Sequence, residues 1–215
     1  MGKRGIDLKL LVSLLLLVLV AGGVALLSIG GSSSRTASAQ ATGADFQAEG
    51  VLSPVTAAPA LELRNYMGER VNIDAYRGKA VLVTFLYTNC PDVCPLIASN
   101  LRVAQNLMGR SVASKAQIIA VSVDPKGDTR EAVAAFLARH GMTGRMQYLI
   151  GSAKELARVW KAWGVGSERD AQQPQFINHS GLIYGITGSG KRLTVYSASF
   201  RPEQIAHDVP LLAAR

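Results

Sequence analysis

Apolar positions follow three regimes along this chain. From Leu10 to Ile29 they run nearly unbroken, interrupted by Ser13 and the Gly22-Gly23 pair. From about Gly30 to Pro59 they thin out among Gly, Ser, Ala, Thr and Pro. Beyond Ala60, short continuous runs alternate with stretches spaced three and four apart. These are the signatures of buried strands and of helices with one apolar face.

The first run is about 20 residues, enough to cross a hydrocarbon core as one helix. It exceeds the apolar core of a typical cleaved signal, about 7–15 residues. Residues 1–9 form a basic flank, with Lys3, Arg4 and Lys9 against Asp7. That flank predicts a cytoplasmic N-terminus, with everything after residue 30 outside the cell membrane. Length favours a retained transmembrane anchor over residues 10–29. Ala37-Ser38-Ala39 before Gln40 resembles a cleavage site, so a removed signal stays open; both readings export the main domain. Residues 30–59 read as a flexible linker. Residues 60–215 are of single-domain size and can bury one core.

Within that domain, Lys79 to Thr88 is an apolar, β-branched run suited to a buried strand. Leu96, Ile97, Leu101, Ala104 and Leu107 keep helical spacing from Pro95 to about Met108, and a proline is tolerated in a first turn. Gln117–Val123 is a second strand, ending in Asp124-Pro125. Thr129 to His140 is a capped helix stopped by Gly141. A short strand from Met146 to Ile150 precedes a helix from about Ala153 to Trp163. Phe176–Ile186 and Arg192–Ala198 read as strands joined through Thr187-Gly-Ser-Gly190. Arg201 to Ala214 closes the chain as a helix. Leu61 to Asp74 adds a small N-terminal hairpin. The order predicts an α/β thioredoxin-like sandwich, its first strand-to-helix turn exposed at the carboxyl edge of the sheet.

The formal net charge is +8. Four basic residues against one acid up to Arg35 account for +3, leaving +5 scattered over the rest. No basic run interleaves with aromatics, which argues against a nucleic-acid partner. An acidic protein surface can still exploit the bias.

Cys90 and Cys94 are the only cysteines, in Tyr87-Thr-Asn-Cys-Pro-Asp-Val-Cys-Pro95. Two thiols so placed either oxidise to a disulfide or hold a soft metal as thiolates. A bridge closing so short a loop removes little chain entropy, so the pair reads as chemical rather than structural. Cys94 is expected at a helix N-terminus, where unpaired N–H groups and the helix dipole favour a thiolate. Two thiolates suit Cu(I), and a copper that cycles to Cu(II) prefers a nitrogen donor as well. Of the three histidines, His140 reads as a helix cap and His207 as exposed surface. His179 begins a strand expected beside the cysteine-bearing one. It is either a loop histidine bonding a carbonyl or a ligand, and the residues alone do not choose. Met67, Met108, Met142 and Met146 lack clustered spacing and read as packing. Trp160 and Trp163 read as core cover.

The cysteine motif, then Val121-Ser-Val-Asp-Pro125 with Asp128-Thr129, then His179-Ser180 before an apolar strand, resembles the SCO1/SenC (PrrC) family. The likeness runs from about Leu61 to Ala214 and extends to the N-terminal anchor. It implies a membrane-anchored copper protein of thioredoxin fold that serves cytochrome c oxidase assembly. Carried over, the family's copper ligands fall on Cys90, Cys94 and His179, one copper per domain, as Cu(I) or Cu(II). Asp92 matches a position that tunes the site electrostatically. Asn89 stands where many members have His, and Asn178 where many have Asp.

The resulting expectation is an extracytoplasmic copper metallochaperone, held to the membrane by its N-terminal helix, delivering to the dinuclear copper site of an oxidase subunit. The rival is a thiol-disulfide oxidoreductase, with Cys90 attacking, Cys94 resolving and His179 dispensable. A thioredoxin-fold peroxidase is a third reading.

Overall fold

The computed structural model describes residues 45–166, 168–169, 177–178 and 181–215. The anchor and the first part of the linker expected from sequence lie outside these residues. No helix among the described residues is long and apolar enough to cross a membrane.

Among the described residues, ten strands and four α-helices follow in chain order: β1 (Gly50–Ala57), β2 (Glu62–Asn65), β3 (Arg70–Asn72), β4 (Ala80–Leu86), α1 (Val93–Ala113), β5 (Ala116–Ser122), α2 (Arg130–Arg139), β6 (Gln147–Ile150), α3 (Ala153–Trp163), β7 (Glu168–Arg169), β8 (Ile177–Asn178), β9 (Ile183–Ile186), β10 (Lys191–Tyr196) and α4 (Pro202–Ala213). Eight strands form one sheet in the order β1-β10-β9-β4-β5-β6-β2-β3, and β7 pairs with β8 in a separate ribbon. β4, β5 and β6 are mutually parallel; the flanking pairs are antiparallel.

The parallel centre explains the uniform apolar runs. Every residue of β4 is buried, because helices cover both faces of the sheet. Phe85 meets Trp163 of α3 on one face, with Tyr184 beside both. Gly185 pairs with Leu82, so it faces the other way, and a Cβ there would press on Leu212 of α4. On that same face Phe136 of α2 stacks edge-on against Tyr148.

Helix boundaries follow local chemistry. Ser152 and Glu155 form a reciprocal capping box at the start of α3, and Gly164 ends it with φ 69°, a left-handed conformation that costs glycine little. α1 starts at Val93, which puts Pro95 in its first turn. It runs past the expected end at Met108, across a break at Gly109 with φ 66°.

Two expectations change. The linker was to reach residue 59, yet Gly50–Ala57 is the edge strand β1, paired with β10. Just before it, the backbone N–H groups of Gln47 and Ala48 donate to the buried Asp208 carboxylate at 2.8 and 2.9 Å. β1 stays hidden in sequence because its side chains are mostly exposed and its backbone makes the bonds. The single strand expected from Phe176 to Ile186 is instead β8 and β9, which belong to different sheets.

Candidate metal centre

The chain leaves β4 at Leu86, passes through residues 87–92 and enters α1 at Val93. This is the turn at the carboxyl edge of the parallel strands, and it carries both thiols. Cys90 is 8% exposed and Cys94 fully buried. The Cys94 backbone N–H donates to the Cys90 sulfur at 3.4 Å, which folds the loop back on the first turn of the helix. The Cys90 N–H in turn donates to the Tyr87 carbonyl at 3.3 Å.

The two sulfurs differ in chemistry. The Cys94 thiol donates to Cys90 and holds it as a thiolate, with its pKa lowered to about 6 against the cost of burial. Backbone N–H groups of Asp92 and Cys94, and the Tyr87 hydroxyl, add donors to the same sulfur. Cys94 is pushed the other way, far above an ordinary thiol, by holding its proton towards Cys90 and by burial. The sequence reading gave the thiolate preference to Cys94, from its place at the helix start. That residue is in the first turn, but the donors converge on Cys90, and dehydration outweighs the dipole at Cys94. Asp92 is exposed, and it acts on the sulfur through its backbone N–H.

A buried carboxylate braces the loop from below. Asp128 accepts from the Thr88 N–H at 2.8 Å, from Ser122 Oγ at 2.6 Å and from Tyr148 Oη at 3.0 Å. Burial pushes its carboxyl upward, and these hydrogen bonds oppose the shift. Asp128 thus ties the residue two before Cys90 to the end of β5 and to Tyr148 in β6. Either Asp128 or Thr129 could begin the helix by sequence; in the structure Thr129 caps α2, its Oγ1 accepting from the Ala132 N–H. A carboxylate next to an N-cap is a weak sequence signal, so the bracing role was not legible.

His179 lies outside the described residues. The described residues on either side of it adjoin the thiol segment. The Ile177 N–H donates to Tyr87 Oη at 3.4 Å. A Cβ on Gly181 would lie 3.8 Å from Ile97 and 3.9 Å from Val93, both on α1. The other two histidines are engaged elsewhere. His140 follows α2, its ring against Phe136 and its Nδ1 3.4 Å from Ser99 Oγ. His207 is exposed, as expected, and its Nδ1 lies 2.8 Å from the buried Asp208 carboxylate. Among the described residues no three of His, Cys, Asp and Glu come together as a metal set. Met142 and Met146 are buried packing, as expected, whereas Met67 is 49% exposed.

A thioredoxin-like sandwich with two unequal thiols at the first strand-to-helix turn defines the class of molecule. The chain belongs to the SCO1/SenC family, whose model matches residues 53–214. It is 31% identical to the bovine (Bos taurus) protein SCO2 homolog, mitochondrial, over 138 residues, 62% of this chain and 51% of that protein. The chain therefore spans about half the length of the curated relatives it matches. Among solved structures, apo Sco1 from Thermus thermophilus superposes with a TM-score of 0.68 at 22% identity, covering 78% of this chain and 96% of the other. ScoI of Bradyrhizobium japonicum, solved with copper bound, gives 0.60 at 28% identity, covering 73% and 99%.

Proposed function

We propose that this protein is a copper carrier for cytochrome c oxidase assembly, taking one copper through Cys90, Cys94 and His179. The observation that carries the reading is the pair of sulfurs folded together at the sheet edge, where the Cys94 N–H reaches Cys90 Sγ at 3.4 Å. Thiolate pairs bind soft Cu(I), and an imidazole added to them suits Cu(II). His179 is supported by chain reach. Ile177 is bonded to Tyr87, and two steps along a trans chain cover at most about 7.6 Å between Cα atoms. Copper in the Bradyrhizobium protein and the family's link with oxidase assembly supply the cargo and the acceptor. Copper is here a passenger, handed from thiolate to thiolate by ligand exchange.

The N-terminal apolar run would hold the domain at the outer face of the cell membrane, within reach of an oxidase subunit in the same bilayer. The test is genetic. A strain lacking this chain should lose oxidase activity when copper is scarce, regain it with the wild-type gene, and fail to regain it with Cys90→Ser. Normal oxidase activity in the deletion strain under copper limitation contradicts the proposal.

One observation favours a second reading. A Cys90 thiolate beside a protonated Cys94 is a dithiol ready for exchange. Cys90 would attack a substrate disulfide and release one substrate thiolate. Cys94, giving up its proton, would then displace the second, leaving a Cys90–Cys94 disulfide. His179→Ala separates the readings: it spares exchange and abolishes tight copper binding.

A further inference from the structure

The outward side of α1 carries an apolar stripe. Leu96 is 44% exposed and Leu107 54%, and Val103 is half-buried between them. Spacings of seven and four residues set the three in one line along a helix. From Leu96 to Leu107 that line is roughly 16 Å long at the rise of an α-helix. It begins two residues after Cys94 and ends before the break at Gly109. Packing of α1 on the sheet does not call for it, because Ile97, Ala98, Leu101 and Ala104 are the residues buried there. Apolar side chains exposed singly are ordinary, whereas an aligned set on one helix face marks a surface that meets something.

One border of the stripe is cationic. Arg102 lies against the end of α2, where a Cβ on Gly141 would meet its Cδ at 2.8 Å. Arg145 donates through Nη1 to Oδ1 of Asn106, the neighbour of Leu107, at 2.8 Å. Arg110 lines one cleft with Asn106 and Arg145. These contacts set all three guanidiniums along the α2 side of the stripe. None has a carboxylate at ion-pair distance among the described residues. From Val93 to Lys154 the chain has eight Lys and Arg against three acids, Asp124, Asp128 and Glu131, the first two of them buried. That difference equals the whole +5 left after Arg35, so the charge that looked scattered in sequence comes from one span of the fold.

An apolar line bordered by cations without carboxylates is the profile of a helix that lies on anionic lipid. Lipid is also within reach. On the membrane reading of residues 10–29 proposed above, on which this inference rests, residues 30–44 span at most about 54 Å. A tether that short gives an effective concentration on the order of millimolar, so a contact too weak to hold a free domain is populated. We infer that α1 docks on the anionic lipid of the membrane. Leu96, Val103 and Leu107 enter among the headgroups, and Arg102, Arg110 and Arg145 pair with lipid phosphates. Docking in this way brings the thiol turn at the start of α1 to headgroup level, beside an acceptor in the same bilayer.

The experiment uses the full-length chain in vesicles of phosphatidylcholine brominated near the headgroup end of its acyl chains, with and without phosphatidylglycerol. Leu107→Trp and, separately, Leu96→Trp put an indole on the stripe at an exposed position. Trp160 and Trp163 belong to α3, on the other face of the sheet, and the wild type gives their background. Bromine should quench the added indole at least about twofold more when phosphatidylglycerol is present. Molar salt, or the joint variant Arg102→Gln, Arg110→Gln, Arg145→Gln, should remove that difference. Quenching at neither position beyond the wild-type background overturns the inference. Equal quenching with and without phosphatidylglycerol overturns the role of the arginines. No quenching in lipid, with emission shifted to the blue when purified oxidase is added, gives the face to a protein partner and overturns lipid docking. Extraction of the same vesicles with alkaline carbonate reads the anchor separately. A chain that washes off overturns the anchor, and mixing that chain with the vesicles from solution still tests the face.

Discussion

At the scale of residues, the argument rests on the inequality of Cys90 and Cys94. The lowered pKa of Cys90 means the folded domain binds fewer protons there than the unfolded chain does between about pH 6 and 9. The stability it adds is fully present above the ordinary thiol range and is lost as pH falls through about 6. With only two cysteines in the chain, thiolate absorbance at 240 nm reports the pair directly. One thiolate should titrate with a midpoint near 6, and Cys94→Ala, which removes the principal donor, should move that midpoint up towards an ordinary thiol. A midpoint unchanged by Cys94→Ala would show that backbone donors hold the charge. The brace beneath the loop makes a separate prediction. Asp128→Ala leaves three donors unpaired in a buried place and should cost roughly 2–4 kcal/mol in chemical unfolding, while Asp128→Asn, which keeps one acceptor, should cost less. A loss below about 0.5 kcal/mol for Asp128→Ala would mean water replaces the carboxylate.

At the scale of elements, what could be read in the sequence depended on where the stabilising groups lie. The range expected for α3 matches the helix found, because Ser152, Glu155 and Gly164 mark its ends with side chains and a left-handed glycine. β4 and β5 were legible because both faces are buried, which leaves continuous apolar runs. β1 was not, since an edge strand held by backbone bonds has exposed side chains and no period to read. The short β8 was merged with β9, because apolar content alone does not say which sheet a strand joins. Within the site, the cysteine motif was visible in one stretch of chain. Asp128 reaches the loop from the segment between β5 and α2, and Tyr148 of β6 holds Asp128; only the fold brings them there. The same limit hid the clasp on the N-terminal segment. Asp208 meets Gln47 and Ala48, Tyr196 and His207, three places in the chain. Asp208→Ala should release residues 46–50, read as amide hydrogen exchange of Gln47 and Ala48 at least about tenfold faster, the exchange equivalent of one lost charged hydrogen bond. His207→Ala, which removes an exposed ring, should leave those two amides protected. Fast exchange of both amides in the wild type would contradict the clasp.

At the scale of the whole molecule, the sandwich carries its reactive pair at the carboxyl edge of the parallel strands. The thiols can be metal ligands or a disulfide, but not both at once, so the carrier reading couples copper uptake to redox state. Protein oxidised with diamide to join Cys90 to Cys94 should take up no copper, and reduction should restore uptake; equal loading of both forms would remove the cysteines from the site. The most direct test of the carrier reading is copper stoichiometry and affinity on the reduced full-length chain, wild type beside His179→Ala. The account predicts one tightly bound copper per chain, with a thiolate-to-Cu(II) absorption band that collapses in His179→Ala. Weak binding that is indifferent to His179 would contradict it and leave a dithiol whose work is exchange.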